Sequence, residues 1–245
     1  MQLISIIMPY YRKINSVNRA IKSVIKQSYK KFELIIVYDD ETAEDYHKIK
    51  KFIANNKKIR IIKNRKNIGA GQSRNIGIKN SNGSIVTFID SDDTWHPQKL
   101  KKQLNFLNKN NHNFIFCGYK KIFKKKSIKV NIDSEYLSYK DLLKSCEIGL
   151  STVMIKKKII DNNLFTNLKT QEDFAAWLKI TKKHNAFFLN EVLVNWYDTE
   201  NSLSSNFFQK LFDAYKVFYL NQKFSLVKSF YYLMILSANS IKRKF

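Results

Sequence analysis

The sequence predicts an α/β fold, a doubly wound and mostly parallel sheet followed by a helical C-terminal extension. Three observations predict it. Short, continuous apolar runs recur through the first hundred residues, separated by amphipathic stretches. Several of these runs end in polar or acidic clusters. Beyond about residue 206 the strand signals stop and a helical pattern rich in Phe and Tyr takes over. Continuous apolar runs, unlike alternating ones, indicate strands covered by helices on both faces.

The first strand is Leu3–Met8, closed by Pro9. Val17–Gln27 has helical spacing, with Val17, Ala20, Ile21, Val24 and Ile25 on one face. Glu33–Val37 is a second strand that runs into Asp39-Asp40, and a helix from Glu44 to Asn55 leads to a third strand, Ile59–Lys63. A glycine-containing turn opens a helix over Gly71–Ser81, and the strand Ser84–Ile89 ends in Asp90-Ser91-Asp92-Asp93. Right-handed crossovers between such strands make the domain Rossmann-like. A helix follows His96-Pro97 to Asn108, then a strand at Phe114–Tyr119 and an exposed, Lys-rich hairpin or loop at Lys120–Lys129. Ser138–Ser145 predicts a short helix, Thr152–Ile155 a strand, Glu172–Lys183 a helix that buries Phe174, Trp177, Leu178 and Ile180, and Ala186–Val194 a closing strand. The division expected is a domain over 1–205 in two halves, 1–98 and 99–205, and an amphipathic helical extension over 206–245.

A chain of 245 residues with 44% apolar and 14% aromatic residues has material for one large core. Its net charge of +24 comes from 44 basic residues, of which only 6 are Arg. Nucleic-acid recognition draws on the two-pronged guanidinium, so this dispersed lysine excess speaks for a solvated surface or attraction to anionic headgroups, and against nucleic acid. The two cysteines, Cys117 and Cys146, have neither zinc nor redox spacing and read as reduced thiols. Leu3–Met8 and Phe230–Leu236 are too short to span a bilayer, so a cytoplasmic protein is expected.

Loops at the carboxyl ends of parallel strands converge on one crevice, and here they carry Pro9-Tyr10-Tyr11, Asp39-Asp40 and Asp90–Asp93. Two carboxylates one residue apart at a strand end can share a Mg²⁺ or Mn²⁺ ion with phosphate oxygens. Acids packed this tightly repel one another and raise their own pKa values unless a cation is present. In the segment Asn67–Gly77, Gly69 and Gly71 allow a tight turn and close backbone approach at a helix N-terminus, which favours anions. The third glycine of a dinucleotide fingerprint is missing, which argues against NAD or FAD. Arg74 sits about one turn into that helix, within reach of a diphosphate or of the aspartates.

Together, Ser5–Tyr11, Asp39-Asp40, Asn67–Gly77, Asp90–Asp93 and Glu172-Asp173 resemble family 2 glycosyltransferases of the GT-A fold, over about residues 3 to 200. Within that family the chain is most similar to bacterial enzymes that build capsule, lipopolysaccharide or teichuronic-type surface glycans. The resemblance implies inverting transfer of a sugar from a nucleotide-diphosphate donor, UDP before others, to a hydroxyl of a lipid-linked or growing glycan. Pro9 and Tyr11 would line the base pocket, Asp39 or Asp40 would meet the base, and Arg74 would support the diphosphate. Asp90 and Asp92 would form the metal motif for Mn²⁺ or Mg²⁺, with Asp92 the direct ligand and Asp90 nearer the ribose, and Ser91 between them would belong to the donor-binding residues. Asp173 would be the general base. The second strand departs from the family's Asp-Asp-Gly-Ser-Thr in reading Tyr38-Asp39-Asp40-Glu41-Thr42, which leaves the base-contacting aspartate open between the two.

The acceptor side offers Trp95, His96, Ser151, Glu172 and Trp177, although Trp177 also has core spacing and Glu172-Asp173 would suit any helix N-terminus. In the tail, Leu226, Val227, Phe230, Tyr231, Leu233 and Met234 share a broad helical face before the terminal Lys242-Arg243-Lys244. That face would lie on an anionic membrane, placing the enzyme at the inner face of the cytoplasmic membrane, or pack on the domain or a second subunit of an oligomer. Two rival readings are a nucleotidyltransferase, which would want a glycine-rich loop after the first strand where Pro9-Tyr10-Tyr11 stands, and a non-catalytic nucleotide- or carbohydrate-binding module.

Overall fold

The first four strands lie side by side in the order β3-β2-β1-β4, all parallel, in the computed structural model. It describes residues 2–123, 126–198 and 206–242. These strands are β1 (Ile4–Tyr10), β2 (Phe32–Tyr38), β3 (Ile59–Lys63) and β4 (Ile85–Phe88), joined by helices α1 (Ile14–Ile25), α2 (Glu44–Ile53) and α3 (Ala70–Lys79). Pro9 does not end β1. It continues the strand opposite Val37 of β2, just past Ile7, where the pairing with β4 stops. A residue without an N–H is tolerated there because β4 no longer needs its donor.

The second half supplies the antiparallel pairings of a mostly parallel sheet. A two-residue strand β5 (Thr94–Trp95), which sequence reasoning missed, and α4 (Lys99–Lys109) precede a long hairpin, β6 (Phe114–Phe123) with β7 (Lys126–Val130). Then come β8 (Tyr136–Leu137), α5 (Tyr139–Leu142), β9 (Met154–Lys156), α6 (Glu172–Thr181) and β10 (Ala186–Tyr197). The sheet continues from β4 as β9-β6-β10-β5, with β9 antiparallel to both β4 and β6, so the sheet is mixed. The tail forms α7 (Phe207–Lys216), a π-helical turn Val217–Asn221, and α8 (Leu226–Lys242).

Alternate residues of β1 explain the two cores. Ile4, Ile6, Met8 and Tyr10 face α1, α2 and α4, whereas Ile7 faces α3 and α6. On α1, Val17, Ala20, Ile21 and Val24 are buried, but Ile25 is exposed, because it lies at the last turn beyond the contact stripe. The tail does not stand apart: Ala214, Val217, Phe218, Leu233 and Leu236 join Phe174 and Trp177 in one core. Gly77 lets α3 sit directly on β1, for an added Cβ would fall 2.4 Å from Ile7 Cγ2. Gly77→Ala is therefore expected to destabilise by about 1–3 kcal/mol despite its better helix propensity, read as a lowered Tm.

Candidate active site

The carboxyl ends of β1, β2 and β4 deliver their polar residues to one edge of the sheet. At the end of β1, Tyr10 is fully buried, stacks on Tyr38 at 5.1 Å and donates its hydroxyl to Asp45 at 2.6 Å. Burial and the Asp45 carboxylate push the Tyr10 phenol far above its ordinary value. Tyr11, by contrast, is 42% exposed, with the Arg12 guanidinium 5.1 Å from its ring. Arg12 has a φ of 47°, a left-handed backbone uncommon for a non-glycine residue.

Asp39 is buried and committed to its own chain. Its carboxylate accepts from Asn64 Nδ2 at 2.8 Å, Ile68 N at 2.9 Å and Gly69 N at 2.8 Å, and its carbonyl from Asn67 Nδ2. A carboxylate of the protein's own thus holds the turn that leads into α3. The glycines serve the same local purpose: Gly69 takes a φ of 87°, and a Cβ on Gly71 would lie 2.6 Å from the Thr166 carbonyl. Asp40 accepts from Arg12 Nε at 3.3 Å and from Thr42 N.

Arg74 is the centre of the arrangement. Only 4% exposed, it donates from Nη2 to Asp90 at 2.8 Å and from Nη1 to Glu172 at 2.7 Å, joining β4 to α6. Its Nε is buried without a partner and its guanidinium lies 5.4 Å from the Phe165 ring. Its two carboxylate partners raise its already high pKa despite burial. Gln171, with a φ of 62°, turns the chain into α6 so that Glu172 and Asp173 arrive beside Arg74 and Asp90. Burial, then the neighbouring Glu172 carboxylate, push Asp173 up to about 7, and burial raises Asp90 against the pull of Arg74. The structure therefore brings Arg74, Asp90, Glu172 and Asp173 into one electrostatic cluster.

Asp92 lies beside it with Lys13 Nζ at 3.2 Å, while its backbone carbonyl accepts from Arg19. Ser91 is buried. Asp93, which sequence reasoning did not single out, is 1% exposed and accepts from Ser151 Oγ at 2.5 Å; burial raises its pKa well above the usual range. Ser151 also accepts from Asp90 N at 3.1 Å and its carbonyl takes the Trp95 indole N–H, so it clamps the aspartate loop from below. Among the described residues no three His, Cys, Asp or Glu side chains converge as a metal cage.

The residues proposed for the acceptor side separate. Trp177 is core: fully buried, it packs on Phe88, Phe114 and Phe165 and donates to the Ile148 carbonyl. Trp95 is 3% exposed, held between Ser151 and the Lys99 ammonium, 3.9 Å from its ring. Neither indole lines an open surface. His96 is exposed and its ring accepts from the Gln98 backbone. Pro9 is buried in β1. Sequence reasoning also missed Lys99, fully buried with its pKa lowered to about 8 by desolvation; nothing in a chain so rich in lysine marks it out. A cavity of about 570 Å³ lined by Tyr119, Asn131, Asp141, Lys144 and Glu147 includes none of the aspartates of the cluster.

A family model, that of Glycosyl transferase family 2, matches residues 5–181. The chain belongs to that family. It is an enzyme of the glycosyltransferase class, similar to transferases of bacterial surface glycans. It is 31% identical over 211 residues to the UDP-Glc:alpha-D-GlcNAc-diphosphoundecaprenol beta-1,3-glucosyltransferase WfgD of Escherichia coli, covering 85% of this chain and 82% of that one. It is 30% identical to the putative teichuronic acid biosynthesis glycosyltransferase TuaG of Bacillus subtilis, over 99% of this chain and 97% of that one. Among solved structures it superposes on S. aureus TarS 1-349 in complex with UDP-GlcNAc with a TM-score of 0.77 at 20% identity, covering 95% of this chain and 70% of that one. The fold of the glycosyltransferase is GT-A, as the resemblance implied. No helix among the described residues is long and apolar enough to cross a membrane.

Proposed function

We propose that this glycosyltransferase moves a sugar, with inversion, from a UDP-sugar to a hydroxyl of a lipid-linked or growing surface glycan, assisted by a divalent cation. The observation that carries the reading is Arg74 tying Asp90 to Glu172, with Asp173 beside them at the carboxyl end of the parallel strands. The diphosphoundecaprenol-linked acceptor and UDP-Glc donor in the name of WfgD support the choice of substrates.

In this scheme the Asp173 carboxylate takes the proton of the acceptor hydroxyl as its oxygen attacks the anomeric carbon, and the nucleoside diphosphate leaves from the opposite face. Glu172, held by Arg74, keeps a second negative charge near Asp173 and maintains its basicity. In the same scheme Arg74 supports the diphosphate side through the Asp90 and Glu172 carboxylates it holds, Tyr11 offers its exposed ring to the base, and Asp40 receives the imide N–H, since Asp39 is committed to Asn64, Ile68 and Gly69.

Asp90 and Asp92 suit a Mg²⁺ or Mn²⁺ ion on the chemistry of the donor set. Two carboxylates are available, a cation already sits on Asp92 in the form of Lys13, and remaining ligands would come from diphosphate and water, as hard divalent cations prefer. When bound, the ion supplies charge neutralisation to the departing diphosphate.

Calorimetry with UDP, in Mn²⁺ or Mg²⁺ and then in EDTA, tests this. Binding is expected to be metal-dependent, and Asp92→Ala to weaken it by about tenfold or more, the loss of one charge-assisted ligand. Equal affinity in EDTA would remove the cation from the scheme.

A further inference from the structure

Among the described residues, the tail leaves an unusual amount of apolar surface exposed. Of the fourteen large apolar side chains exposed among the described residues, ten lie between Phe207 and Met234. On α8, Leu233 and Leu236 are each 7% exposed and pack into the core with Ser229, whereas Leu226, Phe230 and Met234 stand at 58–61% on another stripe. On α7, Asp213 and Ala214 point inward and Phe208 and Phe212 stand at 81% and 56%. A helix apolar on nearly every side is normally buried. Half of α8 instead faces solvent, and a contiguous exposure of this kind marks an interaction surface.

Charge selects the occupant. From Asn206 onward the sequence has a single acid, Asp213. That carboxylate is 1% exposed and spent on Thr170 N, Thr170 Oγ1 and Gln209 Nε2. The same stretch of sequence carries Lys210, Lys216, Lys223 and Lys228, and the ammoniums of Lys216 and Lys228 lie 4.2 Å from the rings of Phe212 and Phe224. The basic run Arg243-Lys244 lies outside the described residues, and nothing here depends on its position. A second copy of the chain would set cations against cations across the contact. Anionic headgroups above an apolar layer match both features, with cations at the fringe and rings that sink below it.

We propose that α7 and α8 form a docking face for an anionic lipid surface. The helices lie on that surface and do not cross it, in keeping with the 17-residue length of α8 and the absence of a spanning helix among the described residues. The inference stands apart from the donor, the cation and the general base proposed above.

The test is co-sedimentation with vesicles of phosphatidylcholine mixed with phosphatidylglycerol, and of phosphatidylcholine alone, at low and high salt. The protein is expected to pellet about tenfold more with the mixed vesicles and to be released in large part by salt. The double variant Phe208→Glu, Val227→Glu changes two side chains that are each 81% exposed, so its Tm and UDP binding should match the parent's while vesicle binding falls about tenfold. Equal pelleting with both lipids, no pelleting with either, or undiminished binding of the variant overturns the proposal. So does a native dimer that the double substitution dissociates, since the face would then belong to a second copy. Loss of vesicle binding with UDP binding intact would leave the active-site reading untouched.

Discussion

Asp173→Asn is expected to lower kcat by about 10²–10⁴, the range that a positioned general base contributes, with UDP affinity nearly unchanged. The amide keeps the shape of the side chain but has no lone pair basic enough to take the acceptor proton. Because burial and Glu172 push Asp173 up to about 7, the carboxylate is the minority form below that pH. For the parent enzyme, kcat/KM should climb about tenfold per pH unit below 7 and level above it, the behaviour of one required base. The variant's small residual rate should lack that limb. A parent profile that is flat between pH 5 and 8, or a variant with most of its rate intact, would take the base role away from Asp173.

Arg74→Met is expected to cost about 3–5 kcal/mol of stability, the range for removing one partner from a buried ion pair. The loss is large because two carboxylates depend on one guanidinium. Asp90 and Glu172 would remain close together with their compensating charge gone, in a cluster that already contains Asp173. Denaturant unfolding of Arg74→Met, Glu172→Gln and the double variant would separate the contributions. Glu172→Gln should recover part of the loss in the double variant, since it removes one of the orphaned charges. Strict additivity would show that Arg74 acts mainly through its packing on Phe165.

The extent to which this site could be read in advance follows from the range of the interactions involved. The first four strands are marked by local apolar runs, and β1 to β4 fall within two residues of the runs that announce them. Direction is another matter. The run at 152–155 looks the same whether it pairs parallel or antiparallel, and only the long excursion through β6, β7 and α5 turns β9 against its neighbours. Strand β5, two residues long, has no periodicity to detect. Asp90, Asp92 and Glu172-Asp173 are visible as local acidic groups at element ends. What Arg74 does with them is not, because its partners lie 16 and 98 residues away. The fate of Asp39 was hidden for the same reason, its donors coming from 25 to 30 residues downstream. Trp177 had core spacing from the start, and core packing is where it lies. In the tail, helical spacing put Leu233 with Phe230 and Met234 on one broad face; the structure divides them, because the boundary between stripes depends on which side meets the core.

The engagement of Asp39 with the backbone N–H groups of Ile68 and Gly69 has a consequence for selectivity. Sheets of this class that hold a dinucleotide leave that glycine turn open and let a phosphate settle there. Here two of its amides are taken from within, by the carboxylate that follows β2. The Ile68 and Gly69 amides are thereby withheld from any phosphate ester, and under the proposed scheme discrimination among nucleotides falls to the acids that follow β4. In that scheme an unaccompanied nucleotide meets repulsion from these carboxylates. A diphosphate that arrives with its own counter-cation then turns the same acids into a binding surface.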